Sequence, residues 1–304
     1  MNSIELTGLR ADLPIGVMAA LGCLRVCERT EDFRGSKLGW TPAGGTFSAV
    51  LYPLSERSAA ELVTALMADV KRAAERMELT WRKKLKGLTP QEYREAASAA
   101  IVQSRETADW FAAFGCETAT DREGIVEPTP LDMTGGPQEF LAGAAELAER
   151  LSTTPKARRA KTPEQAYQEA LFGPWQYSDD QHSLGWDPMT IKLGAFTNQA
   201  PTKMANAGVM AAVWLAFESL PLFPVFSLDG VRGFTRERRA WTFHWPIWKK
   251  PLGLDAIGSF LSLAPEEMAK RGAEAVYRSR RFYLNKYYAA FRTPELAPTT
   301  AAGD

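Results

Sequence analysis

Positive side chains are bunched at four places in this chain, and in two of them they sit among aromatic rings. The first bunch runs Trp81-Arg-Lys-Lys-Leu-Lys86 and the second Lys156-Ala-Arg-Arg-Ala-Lys161. The third gathers Arg232, Arg236, Arg238 and Arg239 beside Trp241, Phe243, Trp245, Trp248, Lys249 and Lys250; the fourth sets Arg278, Arg280 and Arg281 among Phe282, Tyr283, Tyr287 and Tyr288. Cations fixed along a groove neutralise phosphates, and rings exposed beside them stack on unpaired bases for about 1–3 kcal/mol each. The phosphate contacts expected from this pattern are Lys83, Lys84, Arg158, Arg159, Lys203, Arg236, Arg238 and Arg239. Asn198 and Asn206, flanking Lys203, offer amides suited to base edges. Each bunch has a plainer reading as well, the solvated rim of an aromatic core.

Other chemistry finds less material. No phosphate-binding glycine loop, dinucleotide fingerprint, zinc-protease helix, paired C-x-x-C or nucleophile elbow occurs in the chain. His182 and His244 are the two histidines, and either, with a nearby lysine, is the candidate base of a metal-independent RNA-cleaving site. His244, between Phe243 and Trp245, also reads as a structural strand residue. Three irregularly spaced cysteines make no disulfide framework; Cys23 and Cys27, four apart on an apolar helix, read as buried thiols. The sequence calls for no cofactor and no metal.

These residues must be positioned by a chain of 304 residues, 45% apolar, with a formal net charge of zero. That length buries a large core, and neutrality removes the simplest electrostatic argument for a polyanion partner. No run approaches the roughly 18 uninterrupted apolar residues of a membrane span, and the opening MNSIELTGLRADLP is unlike a secretion signal. A cytoplasmic protein with no membrane partner is expected.

Residues 3–6 read as a strand, and Pro14 opens the helix IGVMAALGCLRVCER. PAGG between two β-prone runs predicts a hairpin. From residue 55 the composition turns to alanine, glutamate, lysine and arginine, with helices expected at 58–78, 90–114, 137–151 and 163–172, and helical structure throughout. Beyond Gly173, MTIKLGAF alternates as a strand, 204–220 reads as a helix stopped by Pro221 and Pro224, and FPVFSLDG and RRAWTFHW read as strands joined near DGVRG. Helices at 254–263 and 265–288 close the chain. The expected fold is α+β: a mixed or antiparallel sheet from the N-terminal and C-terminal parts (1–55 and 173–304), interrupted by a helical insertion (56–172).

Two stretches carry a resemblance. ELTGLRADLPIGVMAALGCLRV resembles the opening of CRISPR-associated proteins of type I-U (I-G) interference loci, and LGWDP followed by AGVMAAVWLAFESLPLFPVF resembles their Csb family, where a Gly-Trp-Asp-Pro turn precedes a small-residue helix ending in a similar proline-rich run. The resemblance implies a non-catalytic, large-subunit-like member of a type I-like RNA-guided DNA surveillance complex. Its implied partners are guide CRISPR RNA, target DNA with its adjacent motif, and other CRISPR-associated subunits: backbone and guide-end proteins and a helicase-nuclease. The rival expectations are the RNA-processing endonuclease above and an adaptor that binds protein alone. Trp186 and Asp187 of the turn read as a packing anchor and a turn cap.

Overall fold

A computed structural model describes residues 2–135, 138–155, 157, 160–191, 207–238, 240–285 and 288–298. The order at the N-terminal end is β1 (Ile4–Arg10), α1 (Pro14–Arg29), β2 (Lys37–Ala43) and β3 (Thr46–Tyr52). β3 lies between its neighbours in an antiparallel sheet, and Gly44 and Gly45, both at positive φ, turn the expected hairpin.

The middle comprises α2 (Ala59–Val70), α3 (Met77–Thr80), α4 (Pro90–Gln103), α5 (Arg105–Phe114), α6 (Phe140–Ser152) and α7 (Pro163–Phe172). Capping boxes at Ser58/Glu61, Thr89/Glu92 and Thr162/Gln165 fix the starts of α2, α4 and α7. Two expected helices are broken. Ser104, in extended backbone, caps α5 by accepting from Thr107 N, and Arg76 is extended ahead of α3. Nor is the block helical throughout: β4 (Gly115–Thr120) and β5 (Val126–Pro128) form a hairpin, because Asp121 accepts from Glu123 N and Ile125 N and closes a turn at Gly124.

In the C-terminal part come α8 (Met210–Glu218), β6 (Phe234–Glu237), β7 (Ala240–Ile247), α9 (Leu254–Leu261), α10 (Pro265–Lys270), β8 (Ala275–Asn285), β9 (Tyr288–Phe291) and β10 (Glu295–Leu296). α8 begins at Met210 because the Asp179 carboxylate accepts from Met210 N at 2.8 Å while Asp179 and Gly208 exchange backbone hydrogen bonds. FPVFSLDG is a turn closed by one bridge, Val225 to Val231, and not a strand; the true hairpin is β6–β7. The expected helix over 265–288 stops at Lys270, since Gly272 at φ +97 ends it, and the tyrosine- and arginine-rich run beyond pairs with β7 as β8. Pro188–Thr190 is a single 3-10 turn; the rest of the expected strand, residues 192–196, lies outside the described residues.

The fold is α+β, with antiparallel sheets from both ends of the chain and helices between them. Among the described residues the two ends of the chain form separate sheets and not one, but these are stitched together. Leu38 and Leu252 exchange backbone hydrogen bonds, Trp40 N donates to Trp248 O, and Trp245 Nε1 donates to Ala11 O at 2.9 Å.

At the centre α1 packs on α8, every residue of which is buried. Gly22 makes this possible: a Cβ there would lie 1.7 Å from Leu215 O. Glu218, fully buried at the end of α8, is gripped by Arg76 (2.6 Å), Arg29 (2.9 Å) and, more loosely, Arg25 (3.8 Å). Arg29 also reaches Asp69 (2.6 Å) and Glu106 (2.8 Å), and Arg76 reaches Glu78 (2.8 Å). Arg25 and Arg76 lie over the Trp110 ring. Burial pushes the Glu218 carboxyl up, but the three guanidiniums outweigh it and hold it below the usual carboxylate range. Arg25, which donates to the Glu218 backbone carbonyl at 2.6 Å but stands farthest from the carboxylates, is lowered to about 10 by burial and by Arg29.

Glu218→Gln keeps the shape and removes the buried charge on which the three guanidiniums converge. Removing one partner of a buried pair costs about 3–5 kcal/mol, and urea unfolding at pH 7 should show a loss of that order. Because the folded pKa is depressed, the contribution is present above the ordinary carboxylate range and is lost as pH falls through the folded value. The variant should therefore differ least from the parent in strong acid; an equal deficit at pH 7 and in acid would contradict the assignment.

Candidate nucleic-acid interface

Two adjoining grooves gather the basic side chains, and Lys86 lines both. The smaller, about 690 Å³, takes Trp81, Arg82, Lys83 and Lys84 from the loop after α3 and faces Glu92 and Glu95 of α4. The larger, about 1000 Å³, is walled on one side by the β4–β5 hairpin with Arg122 and Glu127. Its other wall is the far end of the C-terminal sheet: Arg236, Arg238 and Trp241 from the β6–β7 hairpin, Arg281 and Tyr283 from β8. Arg281 and Tyr283 share a face because alternate strand residues do, and the guanidinium lies 5.2 Å from the Tyr283 ring centroid. Tyr283 is 63% exposed.

The floor is the segment after β5. Asp132, buried, accepts from Thr134 N and Thr134 Oγ1, while Lys86 Nζ stands 4.0 Å from its carboxylate and donates to Thr134 O. Burial raises the Asp132 carboxyl despite Lys86. Arg281 Nη2 donates to Asp132 O at 3.1 Å, and burial lowers its guanidinium pKa. Beneath this floor sits the Gly-Trp-Asp-Pro turn. Trp186 Nε1 donates to Leu131 O, and a Cβ on Gly185, at φ +81, would lie 2.6 Å from Ala289 O and 2.9 Å from Met133. The turn therefore positions the groove without lining it, in the packing and capping roles expected of Trp186 and Asp187.

Of the expected phosphate contacts, Lys83 and Lys84 lie on the smaller groove and Arg236 and Arg238 on the larger. Arg158, Arg159, Asn198, Lys203, Asn206 and Arg239 lie outside the described residues, as does Tyr287. Not every cation is free: Lys84 pairs with Glu139 (3.6 Å), and Arg236 with Asp229 (3.3 Å) and Glu127 (3.5 Å). Lys161 of the second bunch is held by Glu169 and Asp179. By contrast Arg82, Lys83, Arg122, Arg238 and Arg281 have no carboxylate within 4.0 Å among the described residues. Arg238 holds its place at φ +57 in the two-residue hairpin turn, a conformation that costs a non-glycine residue about 1–2 kcal/mol.

The aromatic half of the expectation needs correction. Trp241, Phe243, Trp245 and Trp248 are buried core side chains, and among the described residues Tyr283 is the ring left open for stacking in the larger groove. Sequence reasoning passed over Arg122, Asp132 and the roles of Lys86, Arg281 and Tyr283; the turn signal TDREG between two β-prone runs was the available pointer to Arg122. Neither histidine lines the grooves. His182 Nδ1 accepts from Leu184 N, while His244 is lowered to about 4 by burial and by Arg278, and no lysine lines the pocket that it faces.

The chain matches no family model, no curated protein and no solved structure. No helix among the described residues is long and apolar enough to cross a membrane.

Burial lifts the Asp187 carboxyl to about 6, although Met189 N donates to it and the nearby Tyr177 hydroxyl acts to lower it. A raised folded pKa means the native state holds the extra proton between the ordinary value of 3.8 and about 6, so this group makes stability fall as pH rises through that window. Asp187→Asn should remove that slope and leave the protein at least as stable at pH 7.5; urea midpoints at pH 4.5 and 7.5 measure it. A variant that is less stable only at the higher pH would overturn the assignment.

Proposed function

We propose that this protein is a cytoplasmic, non-catalytic nucleic-acid-binding subunit of a type I-like RNA-guided DNA-targeting complex. The observation that carries the binding reading is the convergence of cations distant in sequence onto two grooves sharing Lys86, with Tyr283 exposed between Arg281 and solvent. The assembly reading, with guide RNA, target DNA and other CRISPR-associated subunits as partners, is supported by the sequence resemblance.

Eight cations and eight acids line the two grooves together. Binding must then come from local unpaired cations and stacking, not from a broadly positive surface. A single strand suits this arrangement better than a duplex, since one exposed ring can stack only on an unpaired base. The same balance supports a second reading, a protein-only adaptor whose partner presents both signs of charge.

Fluorescence anisotropy with a labelled strand of about 12 nucleotides separates them. Three phosphate contacts give a log K against log salt slope of about −2, at about −0.7 each. Arg238→Ala and Arg281→Ala should each flatten it by about one contact, and Tyr283→Ala should weaken binding roughly five- to hundredfold without altering the slope. An unchanged slope in both arginine variants, or no binding at low salt, would count against the grooves and favour the adaptor.

A further inference from the structure

A third pocket, about 280 Å³, lies away from these grooves, between the 226–232 turn, the β6–β7 hairpin and the joint of α9 and α10. Its walls are largely apolar, with Val231, Leu261, Leu263 and Pro265 among them, and Phe226 beside it is 57% exposed. Four polar side chains break the apolar lining: Ser262, whose hydroxyl donates to Gly258 O, Thr235, and the two that can ionise, Arg232 and His244.

Both carry buried atoms with unmet hydrogen-bonding capacity. Arg232 Nε is buried without a partner, its Nη1 makes one long contact to Leu222 O (3.5 Å), and no carboxylate lies within 4.0 Å among the described residues. His244 is 93% buried by its 7% exposure; its Nε2 lies 2.8 Å from Thr235 Oγ1, and its Nδ1 has no partner. When the Thr235 hydroxyl donates to Nε2, the proton sits on Nδ1, and His244 becomes a second donor with nothing to accept from it. The surrounding charges are more distant: Asp109 acts on Arg232, Arg278 and Glu266 on His244, and Arg278 is already paired with Glu295 at 2.7 Å. Burying a donor without an acceptor costs about 1–3 kcal/mol, more for a charged group. A fold holding two such donors at one pocket is shaped for an acceptor from outside.

We infer that this pocket binds a single carboxylate attached to an apolar group, the C-terminal carboxylate of a partner polypeptide ending in an aliphatic residue. One guanidinium and one neutral imidazole match a single negative charge, and the apolar walls receive the terminal side chain. A phosphate dianion calls for a second cation, and Arg232 is the one cation among the lining residues. The inference goes beyond the nucleic-acid reading and does not depend on it.

The chain's two histidines make imidazole NMR signals a clean probe, with His182→Gln assigning them. Intact protein is titrated at pH 7 with N-acetyl-Ala-Leu bearing a free carboxylate, with the same peptide as its amide, and with inorganic phosphate. Saturable movement of the His244 signals by the acid is expected, at least roughly tenfold weaker for the amide and for the acid against Arg232→Met, the size of one charge-assisted hydrogen bond. Because acid and amide are compared on the unaltered chain, the result stands even where the variant misfolds. Equal response to acid and amide, or still His244 signals, overturns the proposal; response to phosphate alone overturns the carboxylate and assigns the pocket to phosphate.

Discussion

One buried carboxylate organises the core. Glu218 lies at the end of a helix in which every other residue is also buried, where an isolated charge would be several kcal/mol out of place. The charge is tolerated because Arg25 and Arg29 from α1 and Arg76 from the break before α3 converge on it, and because Asp69, Glu78 and Glu106 balance those arginines in turn. Hydrophobic packing alone would let α1 and α8 slide or rotate; the ion cluster, with Gly22 against Leu215 O, admits one register. The two sequence stretches that carry the family resemblance are therefore physical partners. The first supplies Gly22 and Arg25, with Arg29 three residues beyond its end, and AFESLPLFP of the second supplies the acid and the prolines that end its helix.

From that centre the constraint passes outward to the grooves. Phe217, beside Glu218, packs against Phe140 of α6, and Phe140 meets Trp186 edge-on. Trp186 ties down Leu131, next to Asp132 on the groove floor, and Gly185 abuts Met133 and Ala289. The cationic side chains on the β6–β7 hairpin and β8 thus face a floor whose position is set by the same core.

Local signals decided what the sequence could show. The helices with capping boxes, the Pro14 start and the Gly44-Gly45 hairpin were legible because their signals lie within a few residues. The run from Ala275 to Asn285 was misread because Pro265 opens a good helix and arginine-rich sequence has helical propensity; a single glycine, Gly272, decides otherwise, and pairing with β7 then overrides propensity. Likewise the tryptophans beside the third bunch alternate as a half-exposed strand would, yet the core covers one face of β7 while α9 and α10 pack against that strand as well. The convergence of Lys86, Arg122, Arg238 and Arg281 was not legible, since it depends on long-range placement of four separate turns and strand ends.

Overall neutrality looked like an argument against a polyanion partner, and the structure shows where that argument stops. A net charge of zero reflects equal numbers of basic and acidic residues, 36 of each, and some of the cations are paired locally, as at Lys84, Lys161, Arg236 and Arg278. It does not forbid a few unpaired guanidiniums from being held together. Such a site has little long-range field to draw a strand from solution, because beyond about one Debye length, near 8 Å at physiological salt, the eight acids cancel the eight cations. On the proposed reading its affinity comes at contact, from Arg238 and Arg281, which have no carboxylate within 4.0 Å among the described residues. A groove of this kind works best when another component delivers the strand and holds it at high effective concentration. On the proposed reading neighbouring subunits and the guide duplex would do so, and a neutral chain is then the form that avoids capturing unrelated nucleic acid on its own.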